Sequence, residues 1–123
     1  MRYAATILYV PDVIAAIEFY ERAFGLERGF VADGNSYATL KDDGGMLAFA
    51  TYDVAPGTEG ARDRPAGFEV WLEADDVPDA YRRAVDAGAA PVQEPVTKPW
   101  GQVVAYVRDP NGTLVELGEP VAG

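Results

Sequence analysis

Tyr3-Ala-Ala-Thr-Ile-Leu-Tyr-Val-Pro-Asp-Val13 and Gly67-Phe-Glu-Val-Trp-Leu-Glu-Ala-Asp-Asp-Val77 carry the same device twice. Each is a strand-like run that ends at an aspartate suited to cap a helix. In the first, β-branched and aromatic residues extend from Tyr3 to Val10 and stop at Pro11. Asp12 then opens a predicted helix over Val13–Phe24, whose apolar stripe is Val13, Ile17, Tyr20 and Phe24 and whose C-cap is Gly25. In the second, Phe68, Val70 and Leu72 alternate on one face, and Asp76 caps a predicted helix from Val77 to about Ala87, closed by Gly88.

Short strands follow each helix. After the first they are predicted near 27–32, 36–41 and 46–51, with turns at Gly34-Asn35 and Asp43-Gly44-Gly45. After the second they are predicted near 90–93, 102–108 and 114–118, with a loop over Glu94–Gly101 and a hairpin turn at Pro110-Asn111-Gly112. An offset of 64 lays Asp12-Val13 on Asp76-Val77, Ala16 on Ala80 and Ala23 on Ala87. With an offset of 68, Asp43-Gly44 and Leu47 fall on Asn111-Gly112 and Val115. Element order, caps and turns repeat together. The chain is therefore expected to be α+β, built of two tandem βαβββ modules. Module 1 covers about 1–52 and module 2 about 67–120. A linker over 53–66 carries Arg62, Asp63 and Arg64 as solvated charge, and the whole makes one domain over 1–123.

Composition narrows the chemistry. Among 123 residues there is no cysteine and no histidine, which excludes disulfides, thiolate nucleophiles, a Ser-His-Asp triad and the commonest metal ligand. Hydrophobic residues make up 49% and charged residues 24%, the balance of a folded domain rather than a disordered chain. The net charge of −10 opposes nucleic-acid backbones and anionic membrane surfaces, and favours a cationic ligand. No apolar run approaches the ~20 residues of a membrane span and no signal-peptide pattern opens the chain, so a cytoplasmic location is expected.

The repeat, together with Ile7-Leu-Tyr-Val-Pro-Asp12, Phe19-Tyr20, Phe24-Gly25, Phe68-Glu-Val70, Asp75-Asp-Val77, Pro99-Trp-Gly101 and Tyr106-Val-Arg-Asp-Pro-Asn-Gly112 running to Glu116-Leu117, resembles the vicinal oxygen chelate superfamily. This is the fold of glyoxalases, bleomycin-resistance proteins and extradiol dioxygenases. The resemblance implies that the two modules form a cupped mixed sheet with helices on the outer face and the site on its concave face, and a homodimer. It also implies four metal-ligand positions, matched here by Ala5, Ala48, Glu69 and Glu116. Two carboxylates alone leave at most a weak magnesium or calcium site, so no metal and no cofactor is expected. Tyr106 matches the active-site tyrosine that the extradiol dioxygenases place ten residues before the last ligand.

Strand alternation puts Ile7 and Tyr9 on the face of Ala5, and Met46 on that of Ala48. It puts Trp71 and Glu73 with Glu69, Leu114 and Gly118 with Glu116, and Gln102 and Val104 with Tyr106. Trp100 borders the cavity by resemblance. The expected ligand-binding set is Ile7, Tyr9, Met46, Glu69, Trp71, Trp100, Tyr106 and Glu116. Each also has a plainer reading: Trp71 and Tyr9 as core, Trp100 as a surface packing residue, Glu69 at a solvated rim, and Glu116 as a structural hydrogen-bond partner, for example of Tyr106.

Three functions compete. The first is a metal-free protein that sequesters a planar or cationic, antibiotic-like small molecule in an aromatic, acidic cup, as bleomycin-resistance proteins do. The second is a lyase or isomerase with Glu69 or Glu116 as general base and Tyr106 as donor to the oxyanion. The third is an interaction module whose cup is filled by its own side chains.

Overall fold

The computed structural model describes residues 3–41, 45–54, 56 and 65–121. The Asp43-Gly44 part of the first predicted hairpin, Arg62, Asp63 and Arg64 lie outside the described residues, as does most of the predicted linker. The elements run β1 (Thr6–Tyr9), α1 (Val13–Phe24), β2 (Glu27–Val31), β3 (Tyr37–Lys41) and β4 (Leu47–Ala50), then β5 (Val70–Glu73), α2 (Val77–Asp86), β6 (Ala90–Thr97), β7 (Val103–Arg108) and β8 (Leu114–Gly118). The chain divides into two compact units, Met1–Asp63 and Arg64–Gly123. Among the described residues, no helix is long and apolar enough to cross a membrane.

Each unit has the predicted βαβββ order and its own four-stranded mixed sheet: β1-β4-β3-β2 in the first and β5-β8-β7-β6 in the second. In both, the strand before the helix pairs in parallel with the last strand, and the remaining pairs are antiparallel. The helix is the crossover that this parallel pairing demands. Both caps form as expected. Asp12 Oδ1 accepts from Ala15 N at 3.0 Å and Asp76 Oδ1 accepts from Asp79 N at 3.1 Å. Gly25, at φ 70°, ends α1 in the left-handed conformation that glycine adopts without a Cβ clash.

In the first unit α1 buries Val13, Ala16, Ile17, Phe19, Tyr20 and Ala23. Tyr20 meets Phe49 of β4 edge-to-face at 4.9 Å between ring centroids. In the second, Val77 and Ala84 of α2 are buried over a sheet face whose Ala105, Val107, Val115 and Leu117 are also buried. Alternation leaves the opposite face of each sheet without a helix.

Three strand boundaries differ from expectation by more than one residue. β1 begins at Thr6 rather than Tyr3, because its pairing with β4 starts at Thr6↔Leu47. β5 begins at Val70 rather than Gly67, because Gly67 at φ 86° turns the chain away from the extended path. β6 continues to Thr97, so the loop expected over Glu94–Gly101 shrinks to a turn in which Lys98 N donates to Gln102 O at 2.8 Å. Pro95 has no N–H to give to a ladder. It is accommodated because β6 is an edge strand with register breaks between Pro91 and Gln93 and between Gln93 and Val96.

A comparable irregularity in β2 generates a stability prediction. Between Arg28 and Val31 the register shifts, and Thr39 Oγ1 accepts from Phe30 N at 3.0 Å. A Cβ at Gly29 would stand 2.8 Å from that same hydroxyl oxygen. Gly29→Ala must therefore displace Thr39 or break the bond, at a cost of about 1–3 kcal/mol. Urea denaturation should show the loss. In a Thr39→Ala background the Gly29→Ala step should cost measurably less, and equal costs in both backgrounds would refute the coupling.

Candidate functional site

The open face of the second sheet is built by register. Ala105 and Val107 of β7 point toward α2, so Val104, Tyr106 and Arg108 point the other way. Trp71 pairs with Glu116, Glu116 with Tyr106 and Tyr106 with Gln93, so these four residues form one row across all four strands. Within the row the Tyr106 hydroxyl donates to Glu116 Oε1 at 2.7 Å. The Trp71 indole N–H donates to the Gly118 carbonyl at 3.3 Å. That approach needs the glycine, because a Cβ at position 118 would lie 2.9 Å from Trp71 Nε1 and 3.0 Å from Glu116 Oε2.

Beside this row opens a hollow of about 650 Å3, lined by Gly67, Phe68, Glu69, Val92, Gln93, Tyr106, Arg108 and Leu114. Aromatic and aliphatic walls with a few polar groups are the composition of a small-molecule site. Partial burial, and then the charge of Glu116, push the Glu69 carboxyl above its ordinary 4.5. The Tyr106 hydroxyl is pushed up to about 12, first by its hydrogen bond to Glu116, then by burial, then by the charges of Glu116 and Glu69. Ionising Tyr106 would place a third negative charge beside two carboxylates.

The β7–β8 turn positions the last polar group of the wall. Asp109 Oδ1 accepts from Asn111 N at 2.8 Å and Thr113 N at 3.0 Å, and Gly112 takes φ 89°. The turn presents the Gly112 carbonyl to Arg108, whose Nη1 donates to it at 2.8 Å. The Nε–H of Arg108 is shielded from solvent and has no hydrogen-bond partner among the described residues.

Of the residues expected to bind ligand, Glu69 and Tyr106 line the hollow, and Glu116 is tied to it through the Tyr106 hydroxyl. Trp71 stands on the far side of Glu116, and Glu73 lies opposite Gly118. Trp100 is 64% exposed; its indole N–H donates to Gln102 Oε1 at 2.9 Å, and it is not part of the lining. In the first unit, Ile7 and Tyr9 pair with Ala48 and Ala50 on the face away from α1. Met46 receives a long contact from the Tyr37 hydroxyl at 3.9 Å. Phe68, Val92, Gln93 and Arg108 were not anticipated. Arg108 had a usable signal, since it shares parity with Tyr106. Phe68 had none, because it precedes β5 at a turn set by Gly67.

The family's metal positions do not suit an ion here. In the first unit Ala5 and Ala48 offer only methyl groups, and Ala48 is fully buried. In the second, Glu69 and Glu116 are two carboxylates, and Glu116 already accepts from Tyr106. Among the described residues no three acidic or other ligating side chains gather.

The Tyr106 shift fixes a pH dependence. Below its ordinary 10.0 the phenol is neutral in both folded and unfolded chains, and the bond to Glu116 contributes in full. Between 10 and about 12 the unfolded chain loses the proton first, so stability falls as pH rises through that window. Tyrosinate absorbance should show a late-titrating phenol that is absent in Tyr106→Phe and titrates earlier in Glu116→Gln. An unchanged late phenol in Glu116→Gln would show that the bond is not its cause.

Comparison with known proteins agrees with this architecture. The family model described as "Glyoxalase/Bleomycin resistance protein/Dioxygenase superfamily" matches residues 2–117. An uncharacterised protein of Mycobacterium bovis is 31% identical over 122 residues, covering 93% of this chain and 80% of its own. A crystal structure of a glyoxalase-related enzyme from Fulvimarina pelagi superposes with a TM-score of 0.81 at 22% identity, covering 98% of this chain and 88% of its own. The bleomycin resistance determinant encoded on the transposon Tn5 superposes with a TM-score of 0.68 at 23% identity, covering 99% of this chain and 100% of its own. With two βαβββ units and a family match over nearly its whole length, the chain belongs to the glyoxalase/bleomycin resistance protein/dioxygenase superfamily.

Proposed function

We propose that the second unit binds a planar, cationic small molecule in the hollow beside Tyr106 and holds it unchanged. One observation carries this reading. Glu69 is exposed as a residue, yet its carboxyl lines an aromatic and aliphatic hollow where partial desolvation and the charge of Glu116 act on it, with no hydrogen bond or ion pair among the described residues. A carboxylate so placed is relieved by a cation. Phe68 and Tyr106 in the same wall offer ring faces for stacking and for cation–π attraction. The acidic balance of the chain and its likeness to a bleomycin resistance determinant support the same reading. An antibiotic-sequestering role, exercised as a homodimer in the cytoplasm, is the biological form we propose for it.

A second reading uses the same groups. A carboxyl pushed upward by burial and a like charge is the starting point of a general base, and likeness to a glyoxalase-related enzyme favours a lyase or isomerase. Tyr106 weighs against it as oxyanion donor, since its proton is already committed to Glu116.

Calorimetric titration and thermal shift with bleomycin and with simple planar cations such as benzylamine, each against a neutral isostere, test the proposal. The cations should raise Tm and bind about tenfold or more tightly than the isosteres, and Glu69→Gln should remove that preference. The sign of its stability effect differs from that of an ordinary salt-bridge residue. Because the Glu69 carboxyl is raised in the folded chain, ionisation costs folded-state stability as pH rises through its raised value. Glu69→Gln should therefore lose binding without losing stability at neutral pH. Equal affinity for cation and isostere, or recovery of a chemically altered ligand, would refute sequestration.

A further inference from the structure

The hollow has a second pole. Arg108 lies in the same wall as Glu69, yet no Arg108–Glu69 ion pair within 4.0 Å occurs among the described residues. Opposite charges on one small, mostly apolar wall that do not pair are set to hold two separated charges of a ligand. The Arg108 side chain is held for this. Its Nη1 is anchored at 2.8 Å to the Gly112 carbonyl, in a turn whose backbone is tied to Asp109 at 2.8 and 3.0 Å. With Nη1 engaged, the remaining edge of the planar guanidinium is the Nε–Nη2 fork, the geometry that takes a carboxylate through two parallel hydrogen bonds. On that edge the Nε–H is shielded from water and lacks an acceptor among the described residues. Buried donors in folded proteins are nearly always paired, so this one is an open valence.

Resting on the reading that the hollow binds a ring with a basic group, we propose that its ligand is amphoteric: the basic group lies against Glu69 and a carboxylate on the same molecule takes the Nε–Nη2 fork of Arg108. A carboxylate entering along the wall meets Nη2 first and reaches Nε after a small rotation of the side chain about the anchored Nη1. The hollow thereby asks for a carboxylate in addition to the basic group that Glu69 takes.

Nitrogen-15 NMR of the arginine Nε–H groups tests this directly, with the Arg108 signal identified by its loss in Arg108→Lys. The probes are benzylamine, benzoate and 4-(aminomethyl)benzoate. The amphoteric probe should shift the Arg108 Nε–H signal and bind about tenfold more tightly than benzylamine. In Arg108→Lys that advantage should shrink to about threefold or less, because an ammonium cannot form the fork. An Arg108 Nε–H signal unmoved by either carboxylate probe in the wild-type protein would overturn the proposal, as would equal affinity for benzylamine and 4-(aminomethyl)benzoate. Failure of benzylamine to bind would instead overturn the cation-binding reading, and benzoate moving the Arg108 signal in that case would still support the role of Arg108.

Discussion

A carboxylate placed in the middle of a sheet must be given a donor, and in the second unit Glu116 is given the Tyr106 hydroxyl. The arrangement depends on register. Tyr106 and Glu116 are directly paired on neighbouring strands, and their flanking residues Ala105, Val107, Val115 and Leu117 form the apolar face under α2. A one-residue slip of β8 against β7 would drive Glu116 under the helix, away from Tyr106, and turn Val115 and Leu117 out of the core. The hydrogen bond and the core thus specify the same alignment from opposite faces, and the hollow inherits its geometry from that alignment.

The two units show how one topology carries different chemistry. Both join the first and last strands in parallel through a capped helix. On the open face of the first, the middle of β4 is Ala48, a methyl group without a donor; in the second, β8 places Glu116 there. The absence of histidine and cysteine acquires meaning at these positions, because what remains is a pair of carboxylates, an aromatic wall and one guanidinium. That set is suited to recognising charge and ring faces.

Much of this was legible in the sequence where the signal is local. The limits of α1 follow from Asp12 and Gly25, and those of α2 to within a residue from Asp76 and Gly88, because capping is decided within a turn of the chain. Strand parity placed Trp71, Tyr106 and Glu116 on one face, and the Tyr106–Glu116 partnership was among the readings the residues allowed. The rest was not local. The extent of β6 depends on its edge position, which makes Pro95 tolerable, and edge position is a property of the assembled sheet. The position of the hollow depends on the turn at Gly67 and on the carbonyl of Gly112, neither of which strand alternation describes. Arg108 was hidden for a related reason: in Arg108-Asp-Pro-Asn-Gly112 the turn is the conspicuous feature, and the residue before it reads as the end of a strand.

The irregular β6 strand bears on how copies of this protein can meet. An eight-residue edge strand with Val92 and Val96 exposed is the kind of surface onto which another chain adds a strand of its own. Pro91 and Pro95 each remove an N–H from that edge, and the two register breaks interrupt the ladder a second chain would have to continue. The kinks that let the prolines into the sheet therefore also blunt its edge. Main-chain pairing of a second chain along β6 is thereby disfavoured, and contacts made there fall to the side chains.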